Sequence, residues 1–270
     1  NPVWFGFRGL ILFGIWLLLA TLLNQSSRAQ DIDGNPARAQ WRANLGTAGI
    51  VIYVITVTLA STDWVMSLDP HWYSTIWGFI FCDGQALGAM ALITLIITQN
   101  AHAPAYEGKL NKDVTRDLGN LLLTFTMVWA YFAVSQWIII WSGNLPDEIE
   151  YYLTRLKGPM LPVGTFIVIG QFFAPFVMLL SSRAKRTPSM LGGIAVLILI
   201  VRVVEIFWIV KPMFPDAPKL PGSILPLSGW DGVTFLALGG LWLGGFAYLL
   251  GKNALFPNHT YVVPEVLENA

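Results

Sequence analysis

The sequence predicts an all-α, polytopic transmembrane helical bundle with seven spans. Hydrophobic residues make up 55% of the chain and charged residues 12%, about half of the roughly 25% charged content of a soluble domain. Seven apolar windows in the chain reach the roughly 20 residues that a helix needs to cross the hydrocarbon core. None of them alternates as a barrel strand does, and open sheets do not span lipid.

The seven windows define a transmembrane domain over residues 1–250, followed by a predicted cytoplasmic C-terminal tail over residues 251–270. The fifth and seventh windows carry no charged residue, and the fourth carries one only at its edge. The first, second and third windows each contain one charged residue, and the sixth contains two. The predicted spans are 3–23, 46–68, 73–99, 117–141, 161–180, 190–210 and 232–250.

The loops alternate in basic content, and this alternation predicts the orientation. The loops after spans one, three, five and seven hold ten Lys and Arg residues, whereas those after spans two, four and six hold four. Positive residues favour the cytoplasm, so we expect the C-terminus inside and the loop around residues 69–72 outside. Most of the 12 tryptophans fall near predicted outer ends, which is typical of an interfacial belt. A docking face for an external partner is the alternative.

Composition and residue counts exclude several classes of function. The net charge is zero and no basic run occurs, so nothing indicates nucleic-acid binding. One cysteine, Cys82, supports neither a disulfide framework nor a thiolate metal site. The histidines, His71, His102 and His259, fall in predicted loops or the tail, whereas a bis-histidine haem needs imidazoles inside the helices. We therefore expect no metal and no redox cofactor bound by this chain.

Charged residues inside the spans are the main candidates for function, because a charge in lipid requires a partner or a water-lined cavity. Arg202 and Glu205 are three residues apart on span six and share one helical face. They are either a structural ion pair or part of a proton relay. Asp83 lies near the middle of span three and is the better candidate for exchanging a proton. Arg8 lies in the outer half of span one.

The outer loop carries further candidates for the outer access of such a pathway. His71 follows Pro70 and has an imidazole that is able to shuttle protons near neutral pH. A hydrogen-bonded structural histidine is the alternative. Asp63 and Asp69 are expected to be solvated or helix-capping residues. The sequence thus gives Asp83, Glu205, Arg202, Asp63, His71 and Arg8 as proton-pathway candidates.

Three long strings carry a resemblance to a known family: STDWVMSLDPHWYSTIWG (61–78), SQWIIIWSGNLPDEIEYYLTR (135–155) and RVVEIFWIVKP (202–212). With them the chain resembles the NrfD-like integral membrane subunits of bacterial alternative complex III, a quinol:electron acceptor oxidoreductase. It is more similar to the second such subunit, ActF, than to the quinol-site subunit, ActC. The resemblance implies a ten-helix protein of which this chain supplies the last seven.

The resemblance also implies partners and a location. The partners would be other membrane subunits, including the NrfD-like paralogue, an external iron–sulfur subunit and multihaem cytochromes. Haem and iron–sulfur clusters would lie in those partners, and menaquinone or another quinone would bind nearby. In the quinol-site sister, an acid and a histidine serve quinol deprotonation; His71 and Asp83 are the nearest equivalents here. The location implied is the bacterial cytoplasmic membrane.

Taken together, these observations predict a non-catalytic subunit that contributes a proton pathway and an assembly surface to electron transport. Two alternatives stay open within the same complex: a quinol-binding subunit in its own right, and a purely structural scaffold. A stand-alone transporter also stays open. A retinal photoreceptor is a poor fit, because the last span has no lysine before its cytoplasmic end.

Overall fold

The computed structural model describes residues 2–103, 106, 110–214, 225 and 227–252. Within these ranges every regular element is a helix, and no strand occurs. The chain divides into two compact units, Asn1–Ala60 with Leu238–Ala270, and Ser61–Ala237. We call them the first unit and the second unit. From residue 253 on, the predicted cytoplasmic tail lies outside the described residues.

Seven helices in the described residues are long and apolar enough to cross a membrane, and each overlaps one predicted span. This confirms the all-helical, seven-span prediction and gives the chain the character of a multi-pass membrane protein. The helical elements are α1 (Pro2–Asp33), α2 (Ala37–Trp64), a 3₁₀ turn (Met66–Leu68), α3 (Trp77–Gln99), α4 (Lys112–Gly143), α5 (Pro146–Arg155), α6 (Met160–Ile167), a π-helical segment (Val168–Phe173), α7 (Ala174–Leu180), α8 (Ser182–Arg186), α9 (Pro188–Val210), a second 3₁₀ turn (Lys211–Met213) and α10 (Gly229–Lys252).

In the first unit, α1 and α2 are joined by a tight turn. Gly34 adopts a positive φ of 63°, which costs glycine little. Asp33 and Arg38 form an ion pair at 2.7 Å across the turn. Further along the helices, the Trp16 indole Nε1 donates a hydrogen bond of 2.9 Å to the Thr56 hydroxyl. The Trp16 ring also lies against the Tyr53 ring, with centroids 6.5 Å apart, so the contacts between these two spans are both polar and aromatic.

The second unit is built around four apolar helices: α3, α4, the continuous α6–π–α7 helix, and α9. α3 packs against both α4 and α9, and α6 packs against α9, while α4 packs against α7 and α8. The innermost part of the core consists of aliphatic side chains with no exposed surface. They are Leu87, Ala91, Leu122, Leu179, Leu191, Ala195, Ile198 and Val201.

Each of these helices runs between the same two ends of the second unit. One end contains the start of α3, the end of α4, all of α5, the start of α6 and the end of α9. We call it the aromatic end, because Trp72, Trp77 and Tyr151 cluster there. The other, called the opposite end, contains the end of α3, the start of α4, α8 and the start of α9.

The π-helical segment interrupts the fifth span just before a proline, Pro175. Pro175 lies two residues into α7, has no N–H, and so leaves the carbonyl four residues earlier without its α-helical donor. The helix there widens to the i→i+5 pattern over Val168–Phe173. Such segments are often found at functional sites. This one holds Gln171 fully inside the protein.

The structure differs from the predicted boundaries at the aromatic end. Span three begins at Trp77 rather than at residue 73. The loop between spans four and five contains an amphipathic helix that hydropathy alone does not indicate. It follows Asn144, which ends α4 in the left-handed conformation, and it begins with Pro146. Asp147 in its first turn and Arg155 in its last complement the helix dipole.

The close packing of α3 on α9 gives a first testable prediction. A Cβ on Gly192 would lie 2.7 Å from the Thr98 hydroxyl oxygen, whereas a Cβ on Gly193 would meet nothing within 4 Å. We therefore expect Gly192→Ala to destabilise the protein by about 1–3 kcal/mol, as overpacking does. Gly193→Ala is the matched control and should leave the thermal unfolding temperature in detergent unchanged or higher. Equal unfolding temperatures for the two variants would contradict the packing.

Candidate functional site

Glu205 is the centre of a buried polar cluster in the second unit. Its carboxylate accepts a hydrogen bond of 2.9 Å from the Trp129 indole Nε1 of α4. It also forms an ion pair with Arg202, one turn earlier on α9. The Glu205 and Arg202 side chains are only 6% and 12% exposed. The carboxylate therefore has a charged and a neutral donor in a place that excludes water.

Arg202 reaches from α9 to the backbone of α3. A Cβ built on Gly84 would lie 2.6 Å from Arg202 Cζ and 2.7 Å from Nη1, so the guanidinium occupies the space that any other side chain would need. Gly84 is the residue after Asp83. The absence of a side chain at this position thus allows an arginine of α9 to lie beside an acid of α3.

Asp83 is buried, and neither of its carboxyl oxygens has a hydrogen-bond partner among the described residues. The charged side chains that act on it are Arg202 and Glu205. An isolated carboxylate in such a place is strongly disfavoured unless it is paired or protonated. Asp83, Arg202, Glu205 and Trp129 together are called the charge cluster from here on.

Two uncharged polar groups lie about one helical turn from the charge cluster, toward the opposite end. The Gln171 side chain is completely buried, and both of its amide atoms lack a partner among the described residues. Its neighbour Gly170 packs on Val201, the residue before Arg202. Thr126, three residues before Trp129 on α4, has a buried hydroxyl that also lacks a partner. The polar region thus extends slightly beyond the charges.

A second cluster lies at the aromatic end. The Trp72 and Tyr151 rings stack with centroids 4.2 Å apart, and Trp77 meets Trp72 edge to face at 5.1 Å. Such ring contacts add roughly 0.5–1.5 kcal/mol per pair beyond burial. Trp72, Trp77, Tyr151 and Ile209 are each at most 5% exposed. The loop before α3, the helix α5 and the end of α9 are thereby packed into one layer.

Arg155 is buried within this aromatic layer. Its guanidinium donates to the carbonyls of Tyr151 at 2.8 Å and Ile209 at 2.7 Å, and it lies 3.7 Å from the centre of the Tyr151 ring. It joins α5 to the C-terminal end of α9, where the helix dipole favours a cation. The Arg155 Nε atom has no partner within the described chain.

Burial also governs the titration of this layer. Burial raises the pKa of the Tyr151 phenol to about 12, although the Arg155 charge acts to lower it. Burial likewise raises the pKa of Tyr152, and it lowers the pKa of the Arg155 guanidinium. Tyr151 is therefore a neutral phenol at physiological pH.

A narrow crevice opens beside the aromatic layer. Its free space is about 10 Å³, roughly enough for one water molecule. Its walls comprise apolar, aromatic and charged side chains. They are Val65, Met66, Asp69, Trp72, Trp77, Tyr151, Arg155, Ile209 and Met213.

The structure brings together some of the candidate residues that the sequence indicates. Asp83, Arg202 and Glu205 lie in one cluster. His71 is exposed and does not line the crevice, and Asp63 is half-buried near the end of α2 and does not line it either. Arg8 is exposed on α1, in the first unit.

Three residues of the two clusters are not singled out by the sequence. Trp129 lies far from the ends of its span, unlike the tryptophans of the interfacial belt, and this position is a signal that it has a buried partner. Gly84 directly follows the only charged residue of span three, which is a second signal. Arg155 looks like an ordinary loop cation, and only the packing of α5 reveals its burial.

The chain matches no protein-family model and no curated protein sequence. Among the described residues, no group of three or more His, Cys, Asp or Glu side chains is arranged to hold a metal ion. The two clusters provide proton donors and acceptors, one buried ion pair and a small, largely apolar crevice.

Gly84 provides the second testable prediction. In Gly84→Ala the new methyl group takes the space of the Arg202 guanidinium, so we expect the Arg202–Glu205 pair to be displaced and the protein to lose about 1–3 kcal/mol of stability. Gly88→Ala, one turn along the same helix, meets nothing within 4 Å and serves as the control. Thermal unfolding of both variants in lipid nanodiscs measures the effect. If Gly84→Ala unfolds at the temperature of Gly88→Ala, Arg202 does not lie against α3.

The Tyr151 phenol provides the third testable prediction. Its pKa of about 12 in the folded protein exceeds the ordinary value of 10.0, so the unfolded chain loses this proton first as the pH rises. The stability it contributes is present below pH 10 and is lost as the pH rises toward about 12. We expect Tyr151→Phe to flatten the alkaline fall of the unfolding temperature. Tyr73→Phe, at a ring that is 64% exposed, should leave the slope unchanged.

Proposed function

We propose that the chain is an integral membrane subunit of a quinol:electron acceptor oxidoreductase of the alternative complex III type, with no redox centre of its own. In this proposal it contributes a proton pathway and an assembly surface to respiratory or photosynthetic electron transport. The observation that carries the proposal is the charge cluster, buried inside a bundle of membrane-spanning helices.

The number of charges in the cluster supports a proton-exchanging role. Arg202 carries one positive charge, whereas Asp83 and Glu205 carry two negative charges when both are ionised. Glu205 is paired with Arg202 and accepts from Trp129, while Asp83 has no hydrogen-bond partner among the described residues. A proton on Asp83 makes the cluster neutral, which low-dielectric surroundings favour. Loss of that proton leaves one uncompensated negative charge beside the Arg202 guanidinium.

Arg202 is the positioning residue in this proposal. It pairs with Glu205 and lies against Gly84, next to Asp83. When Asp83 loses its proton, the guanidinium has a second carboxylate within reach, and Glu205 becomes the group that is able to accept a proton. The cluster then passes a proton between two acids on different helices without holding an electron carrier.

The positions of the three family-like strings support membership of the complex. The first string supplies Trp72 and Trp77, the second supplies Tyr151 and Arg155, and the third supplies Ile209, and all five pack together at the aromatic end. In the proposal this end faces outward from the bacterial cytoplasmic membrane. The membrane paralogue, the iron–sulfur subunit and the multihaem cytochromes would dock there or along the helices.

A scaffold is the second candidate, because the hydrogen bond from Trp129 to Glu205 joins α4 to α9 whatever else the cluster does. The quinol-binding alternative has weaker support. The crevice has room for about one water molecule, far less than a quinone ring needs, and His71 is exposed. Menaquinone or another quinone would then bind in a partner subunit.

The fourth prediction tests the proton pathway in the native assembly. An affinity tag on this chain should copurify haem-bearing subunits. In the purified complex, Asp83→Asn and Glu205→Gln should each lower quinol turnover and proton release by roughly 100-fold or more, as the loss of a proton-transfer group does. The exposed Asp147→Asn is the control and should leave both rates unchanged.

The two candidate functions give different results. For a scaffold, the same variants lower the yield of complex and leave the activity of each assembled complex unchanged. Normal yield with normal turnover and normal proton release in both variants would contradict the proton pathway. Recovery of the chain without haem-bearing partners would contradict membership of the complex.

A further inference from the structure

We infer that the charge cluster exchanges protons with the aromatic end of the second unit, through a water site in the crevice whose terminal acid is Asp69. This inference rests on the proposed function and assigns the route by which its proton reaches solvent. It differs from the sequence-based expectation, which gave Asp63 and His71 as the outer access.

Beyond Gln171 and Thr126, which lie about one turn from the charge cluster, the route toward the opposite end is closed by an apolar layer. The Leu87, Leu122 and Ile198 side chains have no exposed surface. On α9, the residues from 190 to 201 include no polar side chain. On the buried face of α3 the next polar side chain after Asp83 is Thr94, 11 residues further, or about 16 Å at 1.5 Å per residue. Water has no polar contacts to follow across most of that distance.

The route toward the aromatic end is much shorter. Trp77 lines the crevice and precedes Asp83 by six residues on α3, about 9 Å along the axis. Ile209 also lines it and follows Glu205 by four residues on α9, about 6 Å. Between them lies about one turn of side chains, including the buried Ile80. Movement of that single layer connects the cluster with the crevice.

The walls of the crevice suit a water molecule. Trp72 Nε1, Trp77 Nε1 and Arg155 Nε are buried donors without a partner among the described residues. Asp69 is the one carboxylate among the described lining residues and supplies acceptors. A buried water typically makes two to four hydrogen bonds, and these groups offer that number around a space of about one water molecule.

The charged surroundings leave Asp69 as the group that receives the proton. The lining groups that face it are the Arg155 guanidinium and the buried Tyr151 phenol, both of α5. Asp83 is faced by Arg202 and Glu205 of α9, while α4 contributes the Trp129 indole.

In the proton transfer itself, the Asp83 O–H bond breaks and the proton forms a bond to the oxygen of the water molecule. The water then gives a proton to the Asp69 carboxylate, and no electron moves.

The fifth prediction tests the route on the full chain in sealed lipid vesicles. Dicyclohexylcarbodiimide enters membranes and modifies carboxyl groups in their protonated form, so the modification of Asp83, read by mass spectrometry, reports its proton. The pH is set separately on the two faces. Orientation is read with a membrane-impermeant thiol reagent on Tyr73→Cys, an exposed position, in a Cys82→Ser background.

We expect the modification of Asp83 to follow the pH at the aromatic face and to ignore the pH at the opposite face. Asp69→Asn should slow the response to a pH step by roughly tenfold or more, since a positioned acid accelerates proton transfer. Ile209→Phe, which fills the crevice without removing an acid, should slow it similarly. Asp63→Asn and His71→Gln are the controls and should respond at the original rate.

The outcomes separate this inference from the proposed function. If Asp83 is modified but follows the pH at the opposite face, or if Asp69→Asn and Ile209→Phe respond as fast as the unaltered chain, the route is wrong and the proton-exchanging cluster stands. If Asp83 is unmodified at every pH while the chain remains folded, the cluster holds no exchangeable proton, and both proposals fail.

Discussion

The second unit depends on how Glu205 is accommodated among apolar helices. A carboxylate there is tolerated only with partners, and it has two: the Trp129 indole of α4 and the Arg202 guanidinium of its own helix. Removing one partner of such a pair costs about 3–5 kcal/mol, because the other charge stays buried. The hydrogen bond from Trp129 therefore holds this face of α9 toward α4.

The small residues of the bundle follow from the same requirement. Lipid chains are as apolar as leucine, so helices in a membrane associate through close contact and polar bonds rather than through the hydrophobic effect. Gly84 lets Arg202 reach α3, and Gly192 lets α9 approach Thr98. At the aromatic end, Arg155 and the stacked rings join the elements, together with the close contact of Gly164 on Trp208. Glycine contacts and polar or aromatic contacts thus act together in holding the unit.

Much of the fold is predictable from the sequence, because hydropathy and helix length decide whether a segment crosses a bilayer. The spacing of Arg202 and Glu205 likewise indicates a shared face. The contact between Trp129 and Glu205 is different. It spans 76 residues of chain and depends on which helices are neighbours and how each is rotated, which hydropathy does not encode. The same is true of Arg202 beside Gly84.

The aromatic end shows the limit of prediction more sharply. His71 and Asp63 look like functional residues because imidazoles and carboxylates in a distinctive loop attract attention. Arg155 looks like an ordinary loop cation. The structure reverses the expected order of burial, since Arg155 of α5 is buried against the aromatic rings while His71 is exposed. Local helix signals indicate α5, but they do not say where it packs.

The π-helical segment has a consequence for how sequences of this kind diverge. An α-helix turns roughly 100° for each residue, and a π-helical turn accommodates one extra residue over about the same total rotation. A one-residue deletion between Val168 and Phe173 would therefore restore regular α-helix and keep α7 facing the same neighbours, but it would remove the bulge that holds Gln171. The gain or loss of one residue in this stretch should thus change the buried polar group while leaving the packing of the rest of the span in place.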